Sequence, residues 1–307
     1  MKHLIPLACC LLALPAFAGT DAGALVVVLD PGHGGKFPHD GARGRHGLVE
    51  KNISLAVAQK TKALLELAGA TVVLTRENDE DVSLAERDRI ANEAGADLFL
   101  SIHCNSMELG EDRKVTQGVE TYFLSPDPTD AEARMLAELE NGGPDAVPLP
   151  RSASAVEGIL NDLALGQARN DSAVLARLVQ NHVIRGTWAT SRGVRQAPFL
   201  VLSGTRMPSA LVEIGFISHP QESRQLGREK YQARIAQALS EAVRDFAGKV
   251  LERRLFAKAT TTPALAAPVP AEPSAPAPAP AEPAAAAVVE APPVNTAAVV
   301  ASPGGTR

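Results

Sequence analysis

The chain has 307 residues and a formal net charge of −5, and 4% of its residues are aromatic. A negative balance offers no basic surface, so nucleic acid is not an expected partner. The low aromatic content argues against a dedicated surface for stacking on sugars. Two of the three cysteines lie within the first ten residues. If that segment is removed, Cys104 stands alone, and no intramolecular disulfide is expected.

Residues 1–18 have the composition of a secretory signal peptide. Lys2 and His3 come first, a largely apolar run covers Leu4 to Leu14, and Ala16-Phe17-Ala18 supplies small residues around a cleavage site. The apolar run is shorter than the roughly 20 residues that span a bilayer. We therefore predict an exported protein whose mature chain has no integral membrane span.

The middle of the chain predicts alternating strands and helices. The expected strands are residues 24–30, 71–75, 97–103, 118–124 and 210–217. The expected helices are residues 49–67, 83–95, 130–140, 165–188 and 231–246. This alternation predicts an α/β fold, a single domain over residues 19–256 with a central mixed, mostly parallel sheet flanked by helices. A helical insert at about residues 125–165 interrupts the order.

The C-terminal segment, residues 257–307, consists largely of alanine and proline. Proline removes backbone donors and disfavours both helix and sheet, and the segment has no apolar periodicity. We predict a disordered, extended tail.

Four acidic or imidazole residues occur at strand or helix ends, where α/β folds place their sites. His33 follows the first strand within DPGHGG, and His103 ends the third strand. Glu50 begins the first helix and Glu213 lies in the last strand. His33 alone is compatible with a turn residue, and Glu50 alone with a carboxylate that favours a helix N-terminus.

Glu213 is harder to explain as a structural residue. Its strand neighbours in LVEIG are apolar, and a carboxylate buried there needs a cation, a metal or a proton. Two imidazoles and one carboxylate also form a common ligand set for catalytic zinc, with water in the fourth position.

Seven segments, in order along nearly the whole mature domain, resemble the zinc-dependent N-acetylmuramoyl-L-alanine amidases of the amidase 3 type. The matching segments are LDPGHGG (29–35), LVEKNISLAVA (48–58), VVLTR (72–76), VSLAERDRIAN (82–92), ADLFLSIHCN (96–105), GVETYFL (118–124) and SALVEIGFISHP (209–220).

The resemblance implies that His33, Glu50 and His103 bind Zn²⁺ and that Glu213 is the catalytic carboxylate. It implies hydrolysis of the amide bond between N-acetylmuramic acid and the L-alanine of the peptidoglycan stem peptide. The zinc would activate a water molecule, and Glu213, with a pKa raised by its apolar strand, would move the proton.

Two other polar residues are candidates for orienting ligands or substrate. Arg76 ends the second strand, and Asn105 follows His103 closely in the third. The alternative for Asn105 is that it satisfies a turn.

The insert resembles the regulatory insert of the cell-division amidases, in which a helix covers the zinc until an activator protein displaces it. We predict that Glu140, or else Glu138, occupies the open zinc position. The alternative is an exposed acidic helix. The insert favours a periplasmic location; otherwise the protein is extracellular or associated with the cell wall.

Two other functions remain compatible with the sequence. One is an inactive peptidoglycan-binding module that retains the fold, although such a module has no need of Glu213. The other is a zinc peptidase that acts on wall peptides, because the ligand set does not encode the sugar.

Overall fold

The computed structural model describes residues 25–107, 110, 112–142 and 155–261. The side chains of residues 46, 155–167 and 250–261 are excluded from this description. The predicted signal peptide, the centre of the predicted insert at 143–154, and residues 262–307 of the predicted tail lie outside the described residues.

The centre of the fold is a six-stranded sheet with the order β2-β1-β3-β6-β4-β5. The β4–β6 pair is antiparallel and every other neighbouring pair is parallel. This confirms the predicted mixed, mostly parallel sheet. The strands are β1 (Val26–Pro31), β2 (Thr71–Leu74), β3 (Leu98–Asn105), β4 (Val119–Leu124), β5 (Ser191–Ala197) and β6 (Ser209–Phe216).

Helices cover both faces of the sheet. They are α1 (Glu50–Leu67), α2 (Leu84–Glu93), α3 (Asp112–Val115), α4 (Ala131–Glu140), α5 (Ala155–Thr187), α6 (Leu200–Ser203), α7 (Pro220–Leu226) and α8 (Glu229–Thr261). Apolar residues of α1, α5 and α8 pack on one face. Those of α2, α4 and α6 pack on the other. Among the described helices, none is both long enough and apolar enough to cross a bilayer.

The sheet is built from the apolar runs seen in the sequence. Every residue of β3 and β6 is buried, as expected for central strands covered on both faces. Successive side chains alternate between the faces. His103 therefore points to the α4 side, whereas Cys104 joins the core under α1.

Several elements differ from the sequence prediction. Strand β5 and the short helices α3, α6 and α7 were not predicted. Helix α5 begins at Ala155 rather than near Leu165, so its first turns come from the predicted insert. Helix α8 continues to Thr261, so residues 257–261 of the predicted tail are helical. Alanine and lysine favour helix in FAKATT, and Pro263 follows soon after its end.

Candidate metal centre

His33 lies on the loop that leaves the carboxyl end of β1. Its φ angle is 59°, an unusual value for a residue other than glycine. Neighbouring side chains hold this loop in place. Arg87 donates to the His33 carbonyl at 3.0 Å, and Arg76 donates to the Gly32 carbonyl at 2.9 Å. The strained backbone is thus fixed by bonds from outside the loop.

Glu50 is the first residue of α1 and is 1% exposed. One carboxylate oxygen accepts from the Ala42 amide and the other from the Cys104 amide, both at 2.8 Å. Burial raises the pKa of Glu50, but the imidazoles of His33 and His103 outweigh it, so its pKa lies well below the ordinary value. Glu50 is therefore ionised and fixed in orientation.

His103 lies in β3 and faces the same space. Its ring packs so closely on Gly32 that a Cβ there would lie 2.5 Å from the imidazole. Glycine at position 32 is therefore required by close approach rather than by backbone conformation.

Two imidazole nitrogens and three carboxylate oxygens, from four residues, lie close together here. His33 Nε2 lies 3.3 Å from Glu50 Oε2, and His103 Nδ1 lies 3.2 Å from Glu50 Oε1. Glu140, the last residue of α4, places Oε2 3.2 Å from His33 Nε2 and 3.1 Å from His103 Nδ1. Ligands about 2.0 Å from a tetrahedral zinc ion are about 3.3 Å apart, and each of these four contacts has about that spacing. His33, Glu50 and His103 together form a group that could hold a metal ion.

The imidazole nitrogens give a second indication that the residues fit a cation. His33 Nε2 and His103 Nδ1 are buried and have no hydrogen bond of good geometry within the described part of the chain. Burial lowers the pKa of His33, but Glu50 and Glu140 outweigh it and raise the pKa to about 10. Two carboxylates beside two imidazoles thus attract positive charge, which a proton or a metal ion satisfies.

Glu213 lies beside this cluster on β6, where it pairs in register with His103. It is fully buried, and both of its carboxylate oxygens lack hydrogen-bond partners within the described residues. One oxygen lies within 4.8 Å of ligand atoms of His103 and Glu140. Burial above all, and then Glu140, Glu50 and Glu120, raise the pKa of Glu213 well above the ordinary value despite His103.

The other candidates from the sequence occupy different positions. Arg76 is 2% exposed and donates to three backbone carbonyls around the His33 loop, those of Pro31, Gly32 and Lys51. Asn105 donates to Glu120 at 2.6 Å. Glu138 is exposed.

Sequence reasoning missed the buried polar residues behind the His33 loop. Asp30 is fully buried and accepts from Arg87, Thr75 and Ser101. Burial raises the pKa of Asp30, but these partners, with Arg87 first, lower it overall. Asp30 and Arg87 lie inside the quoted motifs, yet nothing local distinguishes them from surface residues, since their contacts are long-range.

A cavity of about 380 Å³ adjoins the cluster. Its lining includes His33, His103 and Glu140, together with Pro38, His39 and Asp81. The cluster is thus reached from a cleft between the loop after β1 and the end of α4.

The fold and the cluster define an α/β domain with a candidate dihistidine–dicarboxylate metal centre at the carboxyl ends of its parallel strands. Residues 27–245 match the family model described as N-acetylmuramoyl-L-alanine amidase. The chain belongs to this family.

Relatives and solved structures agree with that assignment. The amidase AmiA of Escherichia coli K12 is 34% identical over 231 residues, which cover 74% of this chain and 77% of AmiA. The structure of AmiC2 of Nostoc punctiforme is similar with a TM-score of 0.56 and 30% identity, over 74% of this chain and 98% of that one. The CwlD amidase of Clostridioides difficile, solved in complex with the GerS lipoprotein, has a TM-score of 0.53 and 25% identity, over 73% of this chain and 98% of that one.

Proposed function

We propose that the protein is an exported, zinc-dependent N-acetylmuramoyl-L-alanine amidase that cuts peptidoglycan between N-acetylmuramic acid and the L-alanine of the stem peptide. The observation that carries the proposal is the grouping of the His33, Glu50 and His103 ligand atoms, with Glu140 in contact with both imidazoles, beside the Glu213 carboxyl group, which has no hydrogen-bond partner within the described residues. Family membership supplies the bond that is cut.

We assign His33, Glu50 and His103 as the protein ligands of the zinc. Each is fixed before the metal binds. Glu50 is held by two backbone amides, His103 by its contact with Gly32, and His33 by the bonded loop. Imidazole nitrogens and a carboxylate oxygen are ligands that zinc accepts readily.

Glu213 would act as the proton carrier. Bound Zn²⁺ supplies Lewis acidity at the amide carbonyl and makes water acidic enough to attack near neutral pH. Glu213 takes one proton from the attacking water. It would then deliver that proton to the amide nitrogen as the C–N bond breaks, which leaves a lactyl carboxylic acid and the free amine of L-alanine. The acid then loses its remaining proton to the solvent and becomes a carboxylate. The raised pKa of Glu213 makes its carboxylate a stronger proton acceptor than an exposed one.

We further propose that Glu140 inhibits the enzyme in this conformation. A catalytic zinc site keeps one position open for water or substrate. Here the Glu140 carboxylate contacts both imidazoles, so it would compete with water or substrate for the open zinc position. Displacement of α4 by an activator protein would reopen the site. The GerS complex of the CwlD amidase is a precedent for a protein partner in the family.

The location follows from the predicted signal peptide at residues 1–18. We propose export to the periplasm, or otherwise to the cell exterior or cell wall, where peptidoglycan is the substrate. A role in cell division is part of the same proposal, because the insert resembles that of the cell-division amidases.

The first test is digestion of purified peptidoglycan by the zinc-loaded mature chain, carried out in a Glu140→Gln background and analysed by mass spectrometry. We expect intact stem peptides with a free L-alanine amine. Adding Glu213→Gln should remove this release and leave the zinc content unchanged, because Glu213 is not a proposed ligand. Peptides cut internally would favour the peptidase, and binding without cleavage would favour the inactive module.

A second test concerns inhibition. Glu140→Gln should raise turnover without activator by at least about ten-fold, since a neutral amide is a poor zinc ligand. Glu138→Gln is the matched control, because the residue lies two positions away on the same helix and is exposed. Equal turnover in Glu140→Gln and the unmodified enzyme would refute inhibition by Glu140 and leave the amidase assignment intact.

A further inference from the structure

Arg192 and Arg195 of β5 link the buried Glu120 of β4, on one side, to the first turn of α4, on the other. Arg192 donates through Nε to Glu120 Oε2 at 3.0 Å, and Arg195 Nε lies 3.5 Å from the same oxygen. On the opposite side, their terminal nitrogens meet carboxylates of α4. Arg192 donates to Glu132, and Arg195 lies 3.1 Å from Glu132 and 3.3 Å from Asp130.

The contacts of the two arginines with Glu120 are more permanent than their contacts with α4. Glu120 is fully buried in β4 and also accepts from Asn105 at 2.6 Å. A buried carboxylate needs its cationic partners, so Glu120 holds the Nε side of both arginines wherever α4 lies. The Glu132 side chain, by contrast, is 38% exposed at the edge of the contact. Departure of α4 would free only the terminal nitrogens.

The net charge of the two arginines and their carboxylate partners changes sign when α4 moves away. With α4 in place, the two arginines face three carboxylates, those of Glu120, Glu132 and Asp130, which gives a balance of 2 − 3 = −1. Without α4, only Glu120 remains and the balance is 2 − 1 = +1. The pair then presents oriented guanidinium groups, which favour a carboxylate as partner.

The distance from the two arginines to the proposed metal ligands can be compared with the length of a substrate peptide. Glu120 is the register partner of Glu213. Along α4, the Glu132 carboxylate at the arginines and the Glu140 carboxylate at the histidines are eight residues apart, or about 12 Å at the helical rise. An extended peptide covers about 12 Å with three to four residues.

We infer that Arg192 and Arg195 form a subsite for a carboxylate of the substrate peptide, three to four residues from the scissile amide, and that Asp130 and Glu132 occupy this subsite while α4 is closed. The inference rests on the proposed amidase function and deepens it. Helix α4 thereby imitates the substrate at two points. It delivers one carboxylate to the metal ligands and others to the arginines.

The test measures binding rather than turnover. The zinc-loaded mature chain carries Glu140→Gln to release α4 and Glu213→Gln to prevent cleavage. It is titrated with two fluorescently labelled muramoyl peptides that differ only in a carboxylate or a carboxamide at the third and fourth residues. We expect the carboxylate peptide to bind about ten-fold more tightly. Arg195→Gln should abolish this preference, and Arg195→Lys should retain part of it.

Arg206→Gln is the charge-matched control. Arg206 is exposed and precedes β6, and its removal should leave the preference unchanged. Equal affinity of the two peptides in the enzyme that retains Arg195 would overturn the inference, and so would a preference that survives Arg195→Gln. If Arg195→Gln does not fold, the inference is tested by Arg195→Lys and by the affinities of the two peptides for the enzyme that retains Arg195. Failure of the proposed function would appear separately, as absence of cleavage when Glu213 is restored.

Discussion

Single residues differ in how far their surroundings can be inferred from neighbours in sequence. Glu213 is surrounded by apolar residues on its own strand, and the structure confirms that it is buried. The choice between Glu138 and Glu140 has no such local signal. Two residues on a helix differ by about 200° in direction, so only one can face the imidazoles. Which one does so depends on how α4 packs, and in the structure it is Glu140.

Asp88 on α2 provides a prediction at the residue scale. It is 4% exposed, its Oδ2 accepts from the Gly204 amide at 3.1 Å, and its Oδ1 has no partner within the described residues. Burial, reinforced by Asp30, raises the pKa of Asp88 to about 8. Between about pH 4 and 8 the folded state therefore holds a proton that the unfolded state has released, so stability falls as pH rises through this window.

Asp88→Asn should remove this dependence, because the amide keeps the shape and cannot ionise. Between pH 5 and 8 we expect the free energy of unfolding of the unmodified protein to fall more steeply than that of the variant, by up to about 1.4 kcal/mol per pH unit. Urea unfolding at several pH values measures this. Asp127→Asn, at an exposed position, should match the unmodified protein. If the free energy of unfolding depends on pH equally in Asp88→Asn and in the unmodified protein, the prediction is contradicted.

At the scale of elements, β5 shows why one strand was missed. Its sequence SRGVRQA has no apolar alternation, and two of its seven residues are arginine. Glu120 on β4 and the carboxylates of α4 lie beside those arginines and pair with their charges. The contacts that stabilise β5 are about 60 to 70 residues away in sequence, so a local pattern carries no trace of them.

The C-terminal end of α4 is attached through Asn141. Its Nδ2 donates to the Pro198 carbonyl at 3.0 Å, and its Oδ1 accepts from the Leu200 amide at 2.7 Å. Two hydrogen bonds of about 1 kcal/mol each favour the closed position of α4. Asn141→Ala should therefore raise turnover without activator by several-fold, to less than that of Glu140→Gln.

Turnover of a soluble muramoyl peptide measures the effect. Asn181→Ala, at an exposed position on α5, is the matched control and should leave turnover unchanged. If Glu140→Gln is activated and Asn141→Ala is not, the attachment at Asn141 does not set the position of α4.

At the scale of the whole molecule, the candidate centre joins segments far apart in the chain. His33 follows β1, Glu50 begins α1, His103 lies in β3 and Glu140 ends α4. The unfolded chain cannot hold these four together, so a metal ion binds the folded state selectively. At a concentration 1,000 times the dissociation constant, such binding adds about 4 kcal/mol to the free energy of unfolding.

Thermal unfolding in zinc and in chelator should therefore differ by several degrees. His33→Ala should remove most of the difference, because it deletes one of the proposed ligands. An unfolding temperature that does not respond to zinc would count against a metal centre at this position.

The sequence by itself determined the fold class and the order of the candidate ligands. Apolar runs and helical periodicity are local properties, and the motifs around His33, Glu50, His103 and Glu213 lie in contiguous segments. Only the tertiary structure decided the direction of Glu140, the pairing of β5 and the two-sided contacts of its arginines. These features depend on how separate elements pack and on which charges burial brings together, and neither is encoded within one segment.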